Sequence, residues 1–599
     1  MSRVGVDSGG TFTDAVGPDG RISKLLSTPE DPGVAVRAGA LAVADSRPEV
    51  LAHGTTVATN AVLEGRLARV ALVTTAGFAD VIEIGRQVRP SLFDHFRDRP
   101  APLVERRLRL EAEERLGPDG SVLHALDPDL LPAVPPDVES VAVVFLHADL
   151  EPAHERIAAE TYRRWGWDVS ASHEVAPEVR EFERTVTTVL NAGLRPLCRT
   201  YLDGLRGAAG QVLVMTSAGG LIPAGAAAER PAELLLSGPA AGAASAAAVA
   251  RENGFPGAVS FDMGGTSTDV CLIMDGRPEP ASQRDVAGYP VRVPSLDIHT
   301  IGAGGGSIAW IDGGGALRVG PRSAGASPGP ACYGQGGIEP TVTDADVASG
   351  RIPDDAVFGD LGPIDPARAR DSLARLGVGA DDIVAVVVAE MSQAVRAVTI
   401  ERGVDPRALA LVAFGGAGPL HACELAESLG MRTVVVPAGA GVLSAVGLLG
   451  AAVERDLVIT WAGGTDHTGL EQAGAHLAAR ARDELVDLLG GAVEPDVTTS
   501  LDCRYVGQGH ELRVASVVEF GGAHRRRNGY ERTDVAVEVV AVRARASVPS
   551  PVAWPGIEPR RPVTGPAVVA DPDCTIHVPR GWVGRVGALG ALVLERGTD

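Results

Sequence analysis

Apolar runs four to six residues long alternate along the chain with stretches of helical period. The pattern predicts strands over Arg3–Asp7, Thr13–Gly17 and Ile22–Leu26, a helix from Pro32 to Asp45, and a strand at Val50–Thr55. A helix at Asn60–Gly65 and a strand at Arg69–Thr74 continue the alternation. Residues 86–135, rich in Arg, Pro and charge, break it and read as an inserted lobe. It resumes with Ser140–His147 (strand), His154–Gly166 (helix) and Asp168–His173 (strand), and a long amphipathic helix covers Glu181–Leu205. Strands follow at Gln211–Met215 and Ala258–Asp262, separated by the Gly/Ala-rich 217–250, and a strand–turn–helix spans Leu409–Leu429 before a strand at Thr433–Pro437. Strands and helices in this order indicate α/β layers. Residues 302–338 hold 13 glycines and three prolines and read as one long functional loop. Past about 460 a helix over 467–489 leads into β-rich segments near 499–517, 534–547 and 565–595. The division this suggests is 1–180, 181–455 and a separate C-terminal β-rich domain at 456–599, with the insertion around 86–135.

Composition narrows the function. With 599 residues, 45% of them hydrophobic, the chain exceeds one core and is not disordered. Aromatics make up only 4%, so Ala, Val and Leu must fill the interior. A net charge of −22 argues against nucleic acid or an anionic membrane as partner. Lys24 is the single lysine, so no Gly-Lys-Ser/Thr phosphate loop exists. The six cysteines are too scattered for zinc-ribbon or iron–sulfur spacing and suit a reduced, cytosolic chain. No signal-type segment and no uncharged apolar run of membrane-spanning length is expected.

The informative feature is a repeat. Asp7-Ser8-Gly9-Gly10-Thr11-Phe12-Thr13-Asp14 follows a strand start, and Asp262-Met263-Gly264-Gly265-Thr266-Ser267-Thr268-Asp269 repeats the form about 255 residues later. Glycines let backbone approach a phosphate, Thr supplies a hydroxyl donor, and Asp at a strand end can hold the waters of a phosphate-bound Mg²⁺. Two such hairpins facing each other would clamp a triphosphate. Ala413-Phe414-Gly415-Gly416-Ala417-Gly418 follows another apolar strand, where glycines allow backbone to pack on a base or ribose.

On these residues the chain resembles the hydantoinase A/oxoprolinase family of the actin/hexokinase/chaperone ATPase superfamily, over about residues 3–455. Further motifs carry the resemblance: His53-Gly54-Thr55-Thr56-Val57-Ala58-Thr59-Asn60, Glu83-Ile84-Gly85-Arg86-Gln87, Ser237-Gly238-Pro239, Thr300-Ile301-Gly302-Ala303-Gly304-Gly305-Gly306-Ser307 and Gly329-Pro330-Ala331-Cys332. The resemblance implies two RNase H-like lobes of the actin-like ATPase fold, with an inserted lobe and a C-terminal α+β domain. It implies ATP in the cleft. Asp7, Gly9, Gly10, Thr11 and Thr13 would form one phosphate loop and Asp262, Gly264, Gly265 and Thr266 the other, with Asp7 and Asp262 toward Mg²⁺ and Gly415 and Gly416 on the adenosine. The implied activity is that of an ATP-hydrolysing subunit. It would phosphorylate a carbonyl or amide oxygen of a cyclic amide (hydantoin, 5-oxoproline or lactam) beside a separate hydantoinase B-type subunit in a hetero-oligomer.

Candidate substrate-side residues are His53, Thr55 and Asn60 in the His-Gly-Thr-Thr turn, Arg86 and Gln87, and Asp297 with His299, which share one face of a strand and suit acid/base work. His53 also reads as a satisfied core histidine, Arg86 as a surface partner of Glu83, and Cys332 as a packed thiol. A ketone carboxylase subunit, a sugar-kinase-like phosphotransferase and an actin-like nucleotide switch remain as alternatives.

Overall fold

The structure, a computed structural model, describes residues 2–28, 30–357, 362–491 and 493–597. It is a mixed α/β protein. The first sheet has ten strands, and its centre is parallel: Arg3–Ser8, Val50–Thr55 and Gln211–Met215 run together. Arg3–Ser8 also turns back antiparallel through Phe12–Val16 to Ile22–Leu26. The second sheet, of nine strands, repeats this plan. Ala258–Met263 pairs antiparallel with Thr268–Met274 and parallel with Ala410–Phe414, which pairs with Thr433–Val436. The strands Val4–Val6, Ala258–Phe261 and Ala410–Phe414 are fully or almost fully buried, as continuous apolar runs in parallel sheets must be.

Two helices hold the sheets together. Gly238–Glu252 and Leu443–Gly450 pack so closely that a Cβ on Gly447 would lie 2.4 Å from the Ala241 carbonyl oxygen. On one flank, a Cβ on Gly5 of the first sheet would lie 2.2 Å from the Ala445 oxygen; on the other, a Cβ on Gly242 would lie 2.7 Å from the Phe414 ring. The Gly/Ala-rich 217–250 stretch is therefore explained by close helix packing, which sets the two hairpins opposite one another.

Two expected units are not set apart. Strand Arg109–Ala112, inside the supposed insertion 86–135, is the edge of a four-stranded parallel sheet with Val70–Thr75, Ser140–Val144 and Asp168–Ala171. Residues 456–599 divide between the two large sheets. Asp496–Tyr505 and Val537–Val548 extend the first, and Trp582–Val586 and Leu592–Arg596 extend the second through Thr433–Val436. Edge-strand pairing with the earlier sheets satisfies these strands better than a sheet of their own. The glycine-rich 302–338 is not loop throughout either, because Ser307–Ile311 and Leu317–Ser323 form a hairpin.

Among the described residues one helix, Ala380–Arg402, is long and apolar enough to cross a membrane by length and composition; half of its most apolar stretch is buried inside the protein. Its residues Ile383, Val387 and Met391 pack in the core of the second sheet. All six cysteines are buried and free, and burial pushes the Cys332 thiol far up, which fits a packed thiol and not a nucleophile.

Candidate active site

Each repeat folds as a tight antiparallel hairpin, closed by Gly9 N–H to Phe12 O (3.0 Å) in the first and Gly264 N–H to Ser267 O (3.1 Å) in the second. The register sets Asp7 directly opposite Asp14, and Asp262 directly opposite Asp269. Opposed residues of a pair share one sheet face, so each hairpin carries two like charges side by side, an arrangement that costs stability.

The four acidic residues are half-buried, with their carboxylates largely withdrawn from water. Burial first, then the charge of Asp14, pushes Asp7 up to about 7, with Lys24 opposing. Burial pushes Asp269 up to about 6 despite a 2.5 Å hydrogen bond from the Thr300 hydroxyl. Asp262 is raised well above the usual range by burial, by Asp269, and then by Asp7 and Asp14 of the other hairpin. The acidic ends of the two hairpins therefore lie near one another. Lys24 answers part of the charge: its Nζ lies 3.0 Å from Asp14 Oδ1 and donates to Gly441 O at 3.3 Å.

Glycines give these carboxylates room. A Cβ on Gly54, beside Asp7 in the parallel register, would lie 2.3 Å from Asp7 Oδ1. Gly415, at φ +80°, repeats the relation: its Cβ would lie 2.3 Å from Asp262 Oδ1. Gly305 N–H bonds Gly264 O and Gly306 N–H bonds Gly265 O (3.0 and 2.6 Å), so the glycine run 304–306 buttresses the second turn from behind. Gly10, Gly265 and Gly416, by contrast, face open space. Gly9, Gly264, Thr11 and Thr266 complete the two turns and are half-buried or exposed.

Asp7 Oδ1 is buried with no hydrogen-bond partner. An unpaired carboxylate oxygen near a second acidic group suits a divalent cation. Among the described residues no group of three or more His, Cys, Asp or Glu side chains is arranged to hold a metal. The donor set of Asp7 and Asp262 therefore fits Mg²⁺ that arrives with phosphate ligands of its own, and not a resident ion.

Several expected residues are engaged elsewhere. Thr13 is fully buried, its hydroxyl 3.1 Å from that of Ser27, so it cannot face a phosphate. His53 is fully buried as well: its Nδ1–H donates to Val6 O at 2.9 Å and its Nε2 accepts from the Tyr201 hydroxyl at 2.8 Å. Both nitrogens are spent, which corrects the catalytic reading to that of a core histidine. Thr55 is buried, and its hydroxyl accepts from Val57 N–H at 3.2 Å. Asn60 donates to Thr56 Oγ1 at 3.3 Å. Arg86 forms a two-pronged pair with Glu183 (2.9 and 2.5 Å), whereas Glu83 belongs to Arg109. Asp297 is held by both amino groups of Arg402, which removes it as a free base. His299 stays exposed, and partial burial and Arg402 lower its pKa. Gln87, at φ +56°, lines an open basin of about 390 Å³ with Arg89 and Arg97.

The sequence alone assigned no site role to Asp14, Asp269, Lys24 or Gly54, although all four stand in or beside its motifs. The last Asp of the eight-residue repeat was the available signal, because a tight hairpin puts its first and eighth residues opposite each other.

His53 gives a stability test. Burial lowers it from the ordinary 6.5 to about 4, so the unfolded chain binds a proton there that the folded chain does not. Its contribution is present above pH 6.5 and is lost as pH falls toward 4. In urea melts between pH 4.5 and 7, His53→Gln should flatten this acid-side loss. An unchanged slope would place His53 outside the core network.

A mixed α/β chain with a matched pair of Asp-x-Gly-Gly hairpins is the class that fold and site define. Comparison with known proteins narrows it. Residues 3–166 match the hydantoinase/oxoprolinase N-terminal region and residues 184–457 match the hydantoinase/oxoprolinase family. The chain belongs to the hydantoinase/oxoprolinase family. Caprolactamase subunit alpha of Pseudomonas jessenii is 36% identical over 86% of this chain and 80% of its own length. The solved structure of the ATP-dependent caprolactamase from that species superimposes over the whole of both chains with a TM-score of 0.85 at 30% identity. The acetophenone carboxylase gamma subunit of Aromatoleum aromaticum is 35% identical over 73% of this chain and 66% of its own. For 5-oxoprolinase 1 of Arabidopsis thaliana the identity is 34%, over 74% of this chain and 41% of that protein.

Proposed function

We propose that this chain is the ATP-hydrolysing subunit of a cyclic-amide hydrolase, and that its two large sheets are the RNase H-like lobes of an actin-like ATPase. The observation that carries this reading is the matched pair of Asp-x-Gly-Gly hairpins, in each of which a neighbouring glycine, Gly54 or Gly415, leaves room for the Asp7 or Asp262 carboxylate. Buried carboxylates in mutual repulsion at paired glycine turns are set up for a cation-bound polyphosphate. The likeness to an ATP-dependent caprolactamase supports it.

On this reading the backbone N–H groups at Gly10 and Gly265 face the phosphates, and Gly416 lies open to the adenosine. Asp7 and Asp262 would hold Mg²⁺, which when bound neutralises phosphate charge. The γ-phosphoryl group passes from ATP to the carbonyl or amide oxygen of a hydantoin, 5-oxoproline or lactam, leaving ADP. Water then adds to the activated carbon. The C–N bond breaks with the nitrogen taking up a proton, so that the ring opens to an acyl phosphate, and a second water hydrolyses that to the carboxylate and phosphate. The chain's own work is positioning and exclusion of water, which suits a loose phosphoryl-transfer transition state. Ring opening is assigned to a separate hydantoinase B-type subunit, by analogy with relatives named as subunits. Identity with the acetophenone carboxylase gamma subunit favours a second reading, in which a ketone is the substrate and carboxylation follows.

The test is ATP hydrolysis against hydantoins, 5-oxoproline, lactams and small ketones, with and without the B-type chain. Stimulation by one cyclic-amide class is expected, with dependence on the partner. Stimulation by ketones alone would move the assignment to the carboxylase. A phosphorylated sugar as product would overturn both.

A further inference from the structure

The loop between Ile84 and Ala101 is fixed at its root and bare at its tip. At the root, Arg86 pairs with Glu183, Arg99 donates to Ile84 O at 2.8 Å, and Tyr289 donates to Ala101 O at 2.8 Å. Gly85 packs on the Phe182 ring, and Pro100 on Gly288. At the tip, the Ser91 hydroxyl accepts from Asp94 N–H and Asp94 Oδ1 accepts from Phe96 N–H, both at 3.0 Å. These turns hold Phe93 and Phe96 outward, 93% and 96% exposed, with Leu92 at 75% and Val88 at 71% beside them. Most other exposed apolar side chains lie singly or in pairs; these form a cluster, in a protein with only 11 phenylalanines. Such a cluster on a prebuilt loop marks an interaction surface.

Charge selects the occupant. Residues 86–99 hold four arginines against two aspartates, in a chain of net charge −22. Arg86 and Arg99 are taken at the root, which leaves Arg89 and Arg97 lining the basin beside the tip. A two-fold contact that set loop on loop would bring these arginines together, and relatives named as alpha and gamma subunits point to a different chain. A different chain avoids that conflict.

We propose that this loop docks a separate protein subunit, one that offers an apolar recess to Phe93 and Phe96 and carboxylates to Arg89 and Arg97. The inference rests on the two-subunit reading above and locates its interface. Docked there, the partner stands next to Gln87, where its own groups can reach whatever the basin holds.

The experiment uses the full chain purified with the hydantoinase B-type chain of the same genome, with affinity followed by sedimentation. F93S/F96S should weaken the complex about 100-fold or more, since exposed aromatics that become buried anchors dominate interface energies. R89E/R97E should slow association and remove its salt dependence. V518S, at a residue 94% exposed outside this loop, should change nothing. Melting temperature and ATP binding of the isolated F93S/F96S chain should match wild type. A complex that survives F93S/F96S overturns this inference alone. No complex with the wild-type chain overturns the two-subunit reading and the inference with it. Self-association that F93S/F96S abolishes would assign the loop to a second copy and overturn the proposal.

Discussion

Asp262→Asn should abolish ATP turnover, by about 10³-fold, and at the same time raise the melting temperature of the nucleotide-free protein. The two effects have one cause. The Asp262 carboxyl is desolvated, opposite Asp269, and repelled by Asp7 and Asp14, so it is held well above the ordinary value. A carboxyl raised in the folded state stabilises the fold while protonated and loses that contribution as pH climbs from its unfolded value through its folded one. Asn keeps the size and removes the titration. The gain in stability should therefore be small near pH 4 and grow toward neutral pH. Asp7→Asn should follow the same course over the window from 3.8 to about 7. Phosphate release and thermal melts at pH 4.5–8 read both effects. Turnover retained in both variants, or melting temperatures that fall, would remove the clamp assignment. Carboxylates that destabilise the empty fold are a cost expected of a functional site and not of a structural one.

Much of the fold was legible because its central strands are largely apolar and its helices punctuated. Arg3–Ser8, Gln211–Met215 and Gly418–Leu429 fall where the pattern puts them, since each is a short buried run or a helix opened by Pro at its first turn. What was not legible is partnership over distance. Nothing local in Leu592–Arg596 says that it will pair with Thr433–Val436, or that Asp496–Tyr505 will lengthen a sheet begun at residue 3. Texture alone made 456–599 look like one unit.

The site divides the same way. The Asp and Gly positions could be read because a repeated turn needs those residue types for backbone reasons. The substrate-side candidates could not, because His, Arg and Asp look alike in sequence whether free or paired. Only the Val6 carbonyl and Tyr201 reveal that His53 is spent, and only Arg402 reveals that Asp297 is. Both partners of His53 come from strands or helices remote in sequence.

Gly415→Ala and Gly416→Ala, neighbours in one turn, should behave oppositely. Gly415 sits at φ +80°, where an L-residue costs about 1–2 kcal/mol, and its Cβ would meet Asp262 Oδ1 at 2.3 Å and Met263 O at 2.4 Å. Met263 O is strand backbone that also accepts from Ala417 N–H at 3.0 Å, so it cannot simply yield. The added methyl must displace the carboxylate, and a shift of that order in a phosphate-clamping group costs roughly 10²-fold in rate. Stability should fall by about 2–4 kcal/mol. Gly416 faces open space, so Gly416→Ala should leave stability within about 0.5 kcal/mol. If the adenosine packs there, its effect appears as a raised KM for ATP with kcat preserved. The pair separates two reasons for adjacent glycines, room for an acidic group and room for a ligand. Wild-type turnover in Gly415→Ala would show that Asp262 does not need its present position. A kcat loss in Gly416→Ala with KM unchanged would take the nucleotide base away from this turn.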